Sequence, residues 1–163
     1  MSTRVGLGFD VHPFVGTAPD ADRPLVLGGV TIDGAPGLAG HSDADVVVHA
    51  VADALLGAAG LPDLGTLFPA SDERYRGAPS IELLRDVLAR VSDAGWRVGN
   101  VDVVVAAEQP KLAPHIDAMR ANLETALGAP ASVKPKHAEG VGAVGRGEGI
   151  ATWAVALLES TPS

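Results

Sequence analysis

The sequence predicts one α/β or α+β domain over residues 1–163, because strand-like and helix-like segments are mixed along the chain. Hydrophobic residues make up 47% of the sequence, which indicates a folded core rather than disorder. Aromatic residues contribute only 4%, so Val, Ala and Leu would form most of that core. Because a core of small side chains buries little area per residue, this composition also favours oligomerisation.

Six segments are predicted to be strands. They are rich in Val, Leu, Ile or Ala, and a Gly-Gly pair joins the second and third as a tight turn. The fourth is nearly all apolar, which predicts burial on both of its faces. The six segments are residues 3–9, 25–27, 30–32, 101–107, 133–137 and 150–158.

Three segments are predicted to be helices, and each ends at a glycine. In the first, Ser42 is expected to be the N-cap, with Asp43 and Asp45 in the first turn. The connection of residues 61–78 is long enough to indicate a function. The helices are expected at residues 42–59, 79–94 and 112–127, before Gly60, Gly95 and Gly128.

Charge and composition argue against several classes of function. A formal net charge of −8 disfavours binding to nucleic acid or to anionic membranes. Without cysteine there is no disulfide and no thiolate site, so any transition metal would need His, Asp and Glu. We find no secretory signal and no apolar run of the ~18 residues that a membrane span requires. These features indicate a cytoplasmic protein.

Asp10, His12 and His49 are candidate metal ligands. Residues 10 and 12 point the same way in an extended strand. The first predicted helix consists almost entirely of Val, Ala and Leu. Its exceptions are Asp45, His49 and Asp53, which are spaced four residues apart and therefore form one polar stripe. Buried ionisable groups need a partner, and two imidazoles with one carboxylate are the ligands of a catalytic zinc with an open position. The alternatives are a surface Asp–His pair and a buried Asp–His network without metal.

His41 and Ser42 are candidate phosphate ligands. They directly precede the predicted helix, and the free N–H groups of a helix N-terminus form a natural anion site. The alternative for Ser42 is a plain N-cap.

Seven motifs match one family in order over nearly the whole chain. They are GFDVH, AGHSDADVVVH, DALLGAAG, DLGTLFP, GNVDV, PKLAPH and GRGEGI. The sequence thus resembles the 2-C-methyl-D-erythritol 2,4-cyclodiphosphate synthases of the non-mevalonate isoprenoid pathway. The resemblance implies a mixed four-stranded sheet backed by helices in a ferredoxin-like arrangement. It also implies a homotrimer with active sites between neighbouring subunits.

The activity implied is that of a CMP-releasing phosphorus–oxygen lyase. It would convert 4-diphosphocytidyl-2-C-methyl-D-erythritol 2-phosphate to 2-C-methyl-D-erythritol 2,4-cyclodiphosphate. The resemblance implies Zn²⁺ at Asp10, His12 and His49, and a second ion, Mg²⁺ or Mn²⁺, at Glu139. It implies catalytic roles for three residues, namely His41, Ser42 and His137.

The substrate-binding positions implied by the resemblance fall into a phosphate and methylerythritol group, a cytidine group and a C-terminal group. They are Asp10, Val11, His12, His41, Ser42, Asp63, Leu64, Gly65, Phe68, Pro69, Ala70, Ser71, Asp72, Ala107, Pro110, Lys111, Leu112, Ala113, Lys136, His137, Ala138, Glu139, Ala143 and Arg146.

One departure from the family lies in residues 136–139, which align with its Thr-Thr-Thr-Glu run. Lys136 and His137 stand where hydroxyl donors are usual, and we expect these cations to contact the α-phosphate instead. The alternative is that Lys136 points to solvent and His137 packs on the protein.

Two further departures are alanines. Ala70 replaces an aspartate that is frequent in the family, and Ser71 or Asp72 could replace its hydrogen bond. Ala143 replaces an aromatic residue at the cavity on the trimer axis, which holds an isoprenoid diphosphate in some members. Arg146 and Glu148 at that cavity are retained.

Two other functions compete with cyclisation. One is a zinc-dependent phosphohydrolase acting on a nucleoside diphosphate. The other is a non-catalytic paralogue that keeps the metal and CMP sites.

Overall fold

The computed structural model describes residues 2–16 and 22–161, and its centre is a four-stranded sheet with a separate two-stranded hairpin. The strands are β1 (Thr3–Pro13), β2 (Leu25–Leu27), β3 (Val30–Ile32), β4 (Trp96–Ala106), β5 (Ala131–Lys136) and β6 (Gly149–Ser160). The sheet order is β1-β6-β4-β5, and β2 pairs with β3. Strand β6 is antiparallel to β1 and β4, whereas β4 and β5 are parallel.

Within the described residues, five helices accompany the sheet, and the three long ones cover one of its faces. The five are α1 (Val46–Ala59), α2 (Leu64–Leu67), α3 (Ser80–Asp93), α4 (Ile116–Leu127) and α5 (Gly142–Gly145). Short 3₁₀ turns form at Glu73–Tyr75 and Ala113–His115. Helix α1 packs on β1 and β6, α3 packs on α1, and α4 packs on β5. No helix within the described ranges has the length and hydropathy needed to cross a bilayer.

The predicted mixed sheet backed by helices is confirmed, but the ferredoxin-like arrangement is wrong in its strand order. A ferredoxin-like chain runs βαββαβ. Here the sheet strands and the three long helices run βααβαββ, and the last strand, β6, lies between β1 and β4. The parallel β4–β5 pair needs a crossover, which α4 supplies.

Strand direction brings three strand ends to one edge of the sheet. Because β6 is antiparallel to both β1 and β4, strands β1, β4 and β5 all run the same way. In the register, Val11 pairs with Ala151, Ala151 with Ala106, and Ala106 with Lys136. The sites expected at the ends of β1, β4 and β5 therefore share this edge.

The sheet face away from the helices is apolar and open. Val5, Leu7 and Phe9 of β1 are 67%, 68% and 49% exposed, and Trp153 of β6 is 42% exposed. The prediction that residues 101–107 are buried on both faces is wrong: Val101, Val103 and Val105 are buried, while Asp102 and Val104 are half-buried. The apolar side chains of β4 therefore do not mark burial on both faces of the sheet.

Two glycines set the distance between α1 and β1. A Cβ at Gly8 would lie 1.9 Å from the Ala50 carbonyl oxygen, and one at Gly6 would lie 2.0 Å from that of Ala54. The helix backbone therefore rests on the strand backbone. This close approach places the first turns of α1 beside the C-terminal end of β1.

The N-cap of α1 is Asp45, so the assignment of Ser42 as N-cap is wrong. The helix cannot begin earlier because Ala44 has a positive φ of 58°. Asp45 Oδ1 accepts hydrogen bonds from the Val47 and Val48 N–H groups. Its two oxygens also accept from the Gly28 and Gly29 N–H groups, at 2.9 Å and 2.7 Å, so that it joins the β2–β3 turn to α1.

Other predicted bounds also shift. Leu112 lies outside the third helix, because the 3₁₀ turn with Pro114 precedes α4. Strands β1 and β6 extend beyond the predicted segments, and β4 and β5 begin earlier but end one residue sooner than predicted. Cross-strand pairing continues where the apolar pattern fades.

Replacing Asp45 with alanine is expected to lower the free energy of unfolding by about 3 kcal/mol, since four backbone N–H groups lose their acceptor. Burial raises the pKa of Asp45 to about 6 despite these hydrogen bonds, so part of the gain is offset by desolvation. Urea unfolding checks this, with the exposed Asp33→Ala as control. A loss under about 0.5 kcal/mol would contradict the joining role.

Thr152→Val is expected to stabilise the protein. Thr152 is fully buried in β6, and its hydroxyl has no hydrogen-bond partner among the described residues. Replacing an unpaired buried hydroxyl with a methyl group should raise the free energy of unfolding by about 1 kcal/mol. A thermal or urea unfolding curve measures this, and a destabilised variant would mean that the hydroxyl is hydrogen-bonded.

Candidate metal and substrate site

Three ligand atoms converge where β1 ends against α1. Asp10 Oδ2 lies 2.9 Å from His12 Nε2 and 3.0 Å from His49 Nδ1. The two imidazole nitrogens are 3.3 Å apart. In a tetrahedral zinc site with bonds of about 2.0–2.1 Å, ligand atoms lie about 3.3 Å from one another. These separations fit one small cation bound by all three residues.

Hydrogen bonds to the far side of each ring aim both imidazoles at Asp10. His12 Nδ1 donates to the Ala39 carbonyl at 2.8 Å, which leaves the lone pair on Nε2. His49 Nε2 lies 2.8 Å from Ser80 Oγ and 3.0 Å from Ser42 Oγ. Such outer contacts are typical of histidines that bind metals, because they fix the ring tautomer.

The Ser80 hydroxyl shows which way the hydrogen bond to His49 runs. Ser80 Oγ–H donates to Asp43 Oδ1, so its oxygen is left to accept from His49 Nε2–H. The lone pair of His49 is therefore on Nδ1, facing Asp10 and His12. Two imidazole lone pairs that face each other require a proton or a cation between them. The sequence did not indicate Ser80 or Asp43, because only the fold brings α3 beside the start of α1.

The charges at this point are strongly coupled. Burial alone would raise the pKa of Asp10, but hydrogen bonds and positive charge from His12 and His49 outweigh it and hold that pKa well below its usual range. Burial likewise acts to lower the pKa of His12, but Asp10 outweighs it and raises that pKa. Asp10 is thus ionised, and its negative charge favours a cation at the point where the three ligand atoms converge.

The polar stripe on α1 is only partly a metal site. Asp45 is the N-cap, and Asp53 Oδ1 accepts a hydrogen bond from the Leu64 N–H at 2.7 Å. Burial raises the pKa of Asp53, and this hydrogen bond opposes the rise. A shared ion is therefore needed only for His49, because backbone N–H groups already serve both aspartates.

A cavity of about 220 Å³ adjoins the candidate metal ligands. It brings together residues from β1, the start of α1, α2 and the loops after it. Its lining consists of His12, His41, Ser42, His49, Leu64, Gly65, Phe68, Ala70, Tyr75 and Leu83. Tyr75, whose ring packs edge-on against Phe68 at 5.2 Å, and Leu83 were not predicted; no motif marks either residue.

The prediction that free N–H groups of the helix N-terminus form an anion site is wrong for two of those groups. The Val47 and Val48 N–H groups donate to Asp45, so they are not free for a phosphate. His41 and Ser42 nevertheless line the cavity through their side chains. His41 Nε2 is 2.8 Å from the Asp72 carbonyl oxygen, which fixes the ring against the loop of residues 69–72.

A second cavity, of about 100 Å³, lies at the ends of β4 and β5. It joins the predicted cytidine segment to the segment that departs from the family. Its lining consists of Ala107, Pro110, Lys111, Leu112, Ala113, Pro135, Lys136 and His137. The structure therefore brings Lys136 and His137 to the predicted nucleotide side of the sheet edge.

Other predicted positions line neither cavity among the described residues. Asp63 caps α2, and the Asp72 carboxylate pairs with Arg74 at 2.6 Å, so it is not free to replace the missing aspartate at position 70. Arg146 pairs with Glu148 at 2.6 Å. The rest lie on exposed surface or in α5 and its approach: Val11, Pro69, Ser71, Ala138, Glu139 and Ala143.

Glu139 adopts an unusual backbone conformation, with a positive φ of 53°. Its carboxylate has no hydrogen-bond or ion-pair partner in the described part of the chain. A non-glycine residue in this region of φ carries strain, which is often found at functional sites.

The fold and the site together define a mixed α/β protein with a candidate metal-binding triad at one sheet edge. The chain matches the model of the YgbB family over residues 3–159. The chain therefore belongs to the YgbB family.

Relatives with curated names agree. A 2-C-methyl-D-erythritol 2,4-cyclodiphosphate synthase from Thermosynechococcus vestitus is 52% identical over 163 residues, covering 98% of this chain and 98% of the relative. A synthase of the same name from Rubrobacter xylanophilus is 56% identical over 159 residues, covering 96% and 94%. The family predicted from the seven motifs is confirmed, and with it the prediction of an enzyme of the lyase class.

Solved structures agree in fold. The bifunctional IspDF from Campylobacter jejuni matches with a TM-score of 0.91 and 39% identity, over 98% of this chain and 43% of that chain. IspF from Plasmodium falciparum, in a CDP complex, matches with a TM-score of 0.82 and 32% identity, over 98% and 97%.

Proposed function

We propose that this protein converts 4-diphosphocytidyl-2-C-methyl-D-erythritol 2-phosphate to 2-C-methyl-D-erythritol 2,4-cyclodiphosphate and CMP. The observation that carries the proposal is the convergence of Asp10, His12 and His49 beside the larger cavity. The names of the relatives and the CDP bound to a structural neighbour support the substrate class. One hydrophobic core, to which the main sheet, the β2–β3 hairpin and the long helices all contribute, supports a single domain over residues 1–163.

The reaction balances without water or a general base. An oxygen of the 2-phosphate bonds to the β-phosphorus, and the bond from that phosphorus to the bridging oxygen breaks. The bridging oxygen leaves with CMP. Because the 2-phosphate is already an anion near pH 7, no proton has to be removed from it. The protein must hold two mutually repelling phosphates in line, which is a task of positioning and charge.

Two divalent ions would be held by residues at the shared sheet edge. Asp10, His12 and His49 fit Zn²⁺, because two nitrogens and one carboxylate oxygen leave an open fourth position. Glu139, with its unpaired carboxylate, would hold Mg²⁺ or Mn²⁺. When bound, these ions supply the positive charge that a chain of net charge −8 otherwise lacks near a polyanion.

The side chains of the larger cavity hold the methylerythritol end of the substrate. His41 and Ser42 would donate to phosphate oxygens, and Leu64 and Gly65 at the start of α2 would face the polyol. The apolar wall formed by Leu64, Phe68 and Leu83 limits access of water. Ser71 can replace the hydrogen bond lost at Ala70, since Asp72 is paired with Arg74.

The smaller cavity receives the cytidine side. Within residues 107–113 the lining side chains are apolar except for Lys111, so this segment would read the base largely through backbone groups. Lys136 and His137 would contact the α-phosphate in place of the usual threonine hydroxyls. Their position beside this segment supports that role over simple exposure to solvent.

Assembly as a homotrimer would complete the site. The open apolar face of β1 and β6 is the kind of surface that another chain covers, because contiguous exposed apolar patches mark protein contacts. The two cavities lie at β1 and at β4–β5, on either side of β6, and a neighbouring subunit can supply the facing half of each. Arg146 and Glu148 would then lie near the axis, whereas Ala143 removes the aromatic lining of an axial cavity.

Product analysis tests the function. Purified protein with Zn²⁺ plus Mg²⁺ or Mn²⁺ is incubated with the substrate, and the products are separated by chromatography. Cyclic diphosphate with CMP supports the cyclase. Acyclic bisphosphate with CMP would indicate a phosphohydrolase, and binding of CMP without turnover would indicate a non-catalytic paralogue.

A further inference from the structure

Glu108 lies between the two segments of the smaller cavity and has no role in the function described above. It lies two residues after the end of β4 at Ala106, and its side chain is 26% exposed. Its Oε1 accepts a hydrogen bond from the Ala138 N–H at 2.6 Å. Its Oε2 lies 3.9 Å from His137 Nδ1.

The Glu108 side chain extends the hydrogen bonding between the β4 and β5 segments past the last backbone–backbone bond. The parallel ladder of β4 and β5 closes with the Ala107 N–H donating to the Lys136 carbonyl at 3.0 Å. Beyond that point no backbone hydrogen bond joins these two segments among the described residues. Glu108 spans the gap with its carboxylate and reaches the N–H group two residues further along, at Ala138.

Ala138 is thereby fixed from both sides. Its N–H donates to Glu108, and its carbonyl accepts from the Val141 N–H at 2.9 Å in a tight turn. His137 and Glu139 flank this fixed residue, and Glu139 holds a strained positive φ. The two hydrogen bonds of Ala138 therefore fix the backbone positions from which the His137 and Glu139 side chains extend.

We propose that Glu108 is a positioning residue that, through Ala138, holds His137 and Glu139 for a nucleoside diphosphate and its divalent cation. The inference rests on the proposed function, since it assigns these two residues to the substrate. It differs from an electrostatic role, because the required feature is an oxygen acceptor at the right reach and not a negative charge.

Three substitutions separate reach from charge. Glu108→Gln keeps an acceptor oxygen at full length and removes the charge. Glu108→Asp keeps the charge but is one methylene too short for the Ala138 N–H. Glu108→Ala removes both. A matched control is Glu124→Ala, because Glu124 Oε1 accepts the Ala131 N–H at 3.4 Å at the other end of β5.

The readouts are kcat, KM for substrate, the Mn²⁺ concentration that gives half of full activity, zinc content and the urea midpoint. We expect Glu108→Ala and Glu108→Asp to lower kcat about 10- to 100-fold and to raise the half-saturating Mn²⁺ concentration about tenfold. Glu108→Gln should recover most of both. Zinc content should stay at the wild-type level throughout, and Glu124→Ala should keep wild-type kinetics.

Other rankings would overturn the inference. If Glu108→Asp is more active than Glu108→Gln, charge rather than reach is what matters. If Glu124→Ala loses as much as Glu108→Ala, or if the losses follow the urea midpoints, the residue is only structural. Wild-type kinetics in Glu108→Ala would also refute the role.

The outcome is distinguishable from failure of the proposed function. If the wild-type protein makes no cyclic product, that function fails. Calorimetric titration with CDP and Mn²⁺ then tests the positioning role of Glu108 without turnover. About tenfold weaker binding in Glu108→Asp than in Glu108→Gln supports that role, and equal binding in the two variants refutes it.

Discussion

Gly8→Ala is expected to lower the free energy of unfolding by about 4 kcal/mol or more. The added Cβ would lie 1.9 Å from the Ala50 carbonyl oxygen and 2.7 Å from the Ala54 amide nitrogen, both of them backbone atoms that cannot rotate away. Helix α1 would have to move off β1. Because Asp10 follows Gly8 on the strand and His49 precedes Ala50 on the helix, the same shift would separate two candidate metal ligands. Urea unfolding followed by circular dichroism measures the loss.

Gly57→Ala is the matched control for this prediction. Gly57 lies on the exposed side of the same helix, and a Cβ there would meet no atom within 4 Å. Alanine costs less conformational entropy than glycine in a helix, so this variant should be about 0.5–1 kcal/mol more stable. Equal effects of the two substitutions would contradict the close packing of α1 on β1.

Under the proposed function, His49→Ala is expected to remove the bound zinc and to slow cyclisation by roughly 10³-fold or more, because the ion proposed to offset phosphate repulsion would be lost. His49 Nδ1 is one of only three protein atoms that converge on this point among the described residues. With two ligands left, the separations of a tetrahedral site are no longer met. Metal analysis of the dialysed protein and steady-state kinetics check the two effects together.

His115→Ala serves as the control, since His115 ends a 3₁₀ turn and has no part in the cluster. It should keep about one zinc per chain and full activity. A His49→Ala protein that retains both its zinc and its turnover would show that the ligands are assigned wrongly. A urea midpoint near that of the wild type would exclude unfolding as the cause of a loss.

The candidate metal site could be predicted from the sequence because its signals are local. Two residues apart on a strand, Asp10 and His12 must point the same way, and His49 is conspicuous on an apolar helix. The same reasoning failed for Asp45 and Asp53, which occupy the same stripe. Their partners are backbone N–H groups of the β2–β3 turn and of α2, and side-chain spacing carries no information about those.

The remainder of the site depends on contacts between distant segments. Ser80 and Asp43, which are 37 positions apart in the sequence, together orient His49. Neither residue lies in a distinctive sequence pattern. Glu108 is one charged residue among many until β5 pairs beside β4. The fold was predicted as a mix of strands and helices, but the position of β6 between β1 and β4 is a matter of topology, which apolar periodicity does not encode.

The measurement that tests the central claim most directly is the fate of water oxygen. The reaction is run in water enriched in oxygen-18, with wild-type protein, Zn²⁺ and Mg²⁺. Mass spectrometry then measures how much oxygen-18 each product contains. Intramolecular attack by the 2-phosphate predicts that neither CMP nor the cyclic diphosphate gains the label. One oxygen-18 atom in CMP, or in an acyclic bisphosphate, would mean that water attacks instead and would contradict the cyclase.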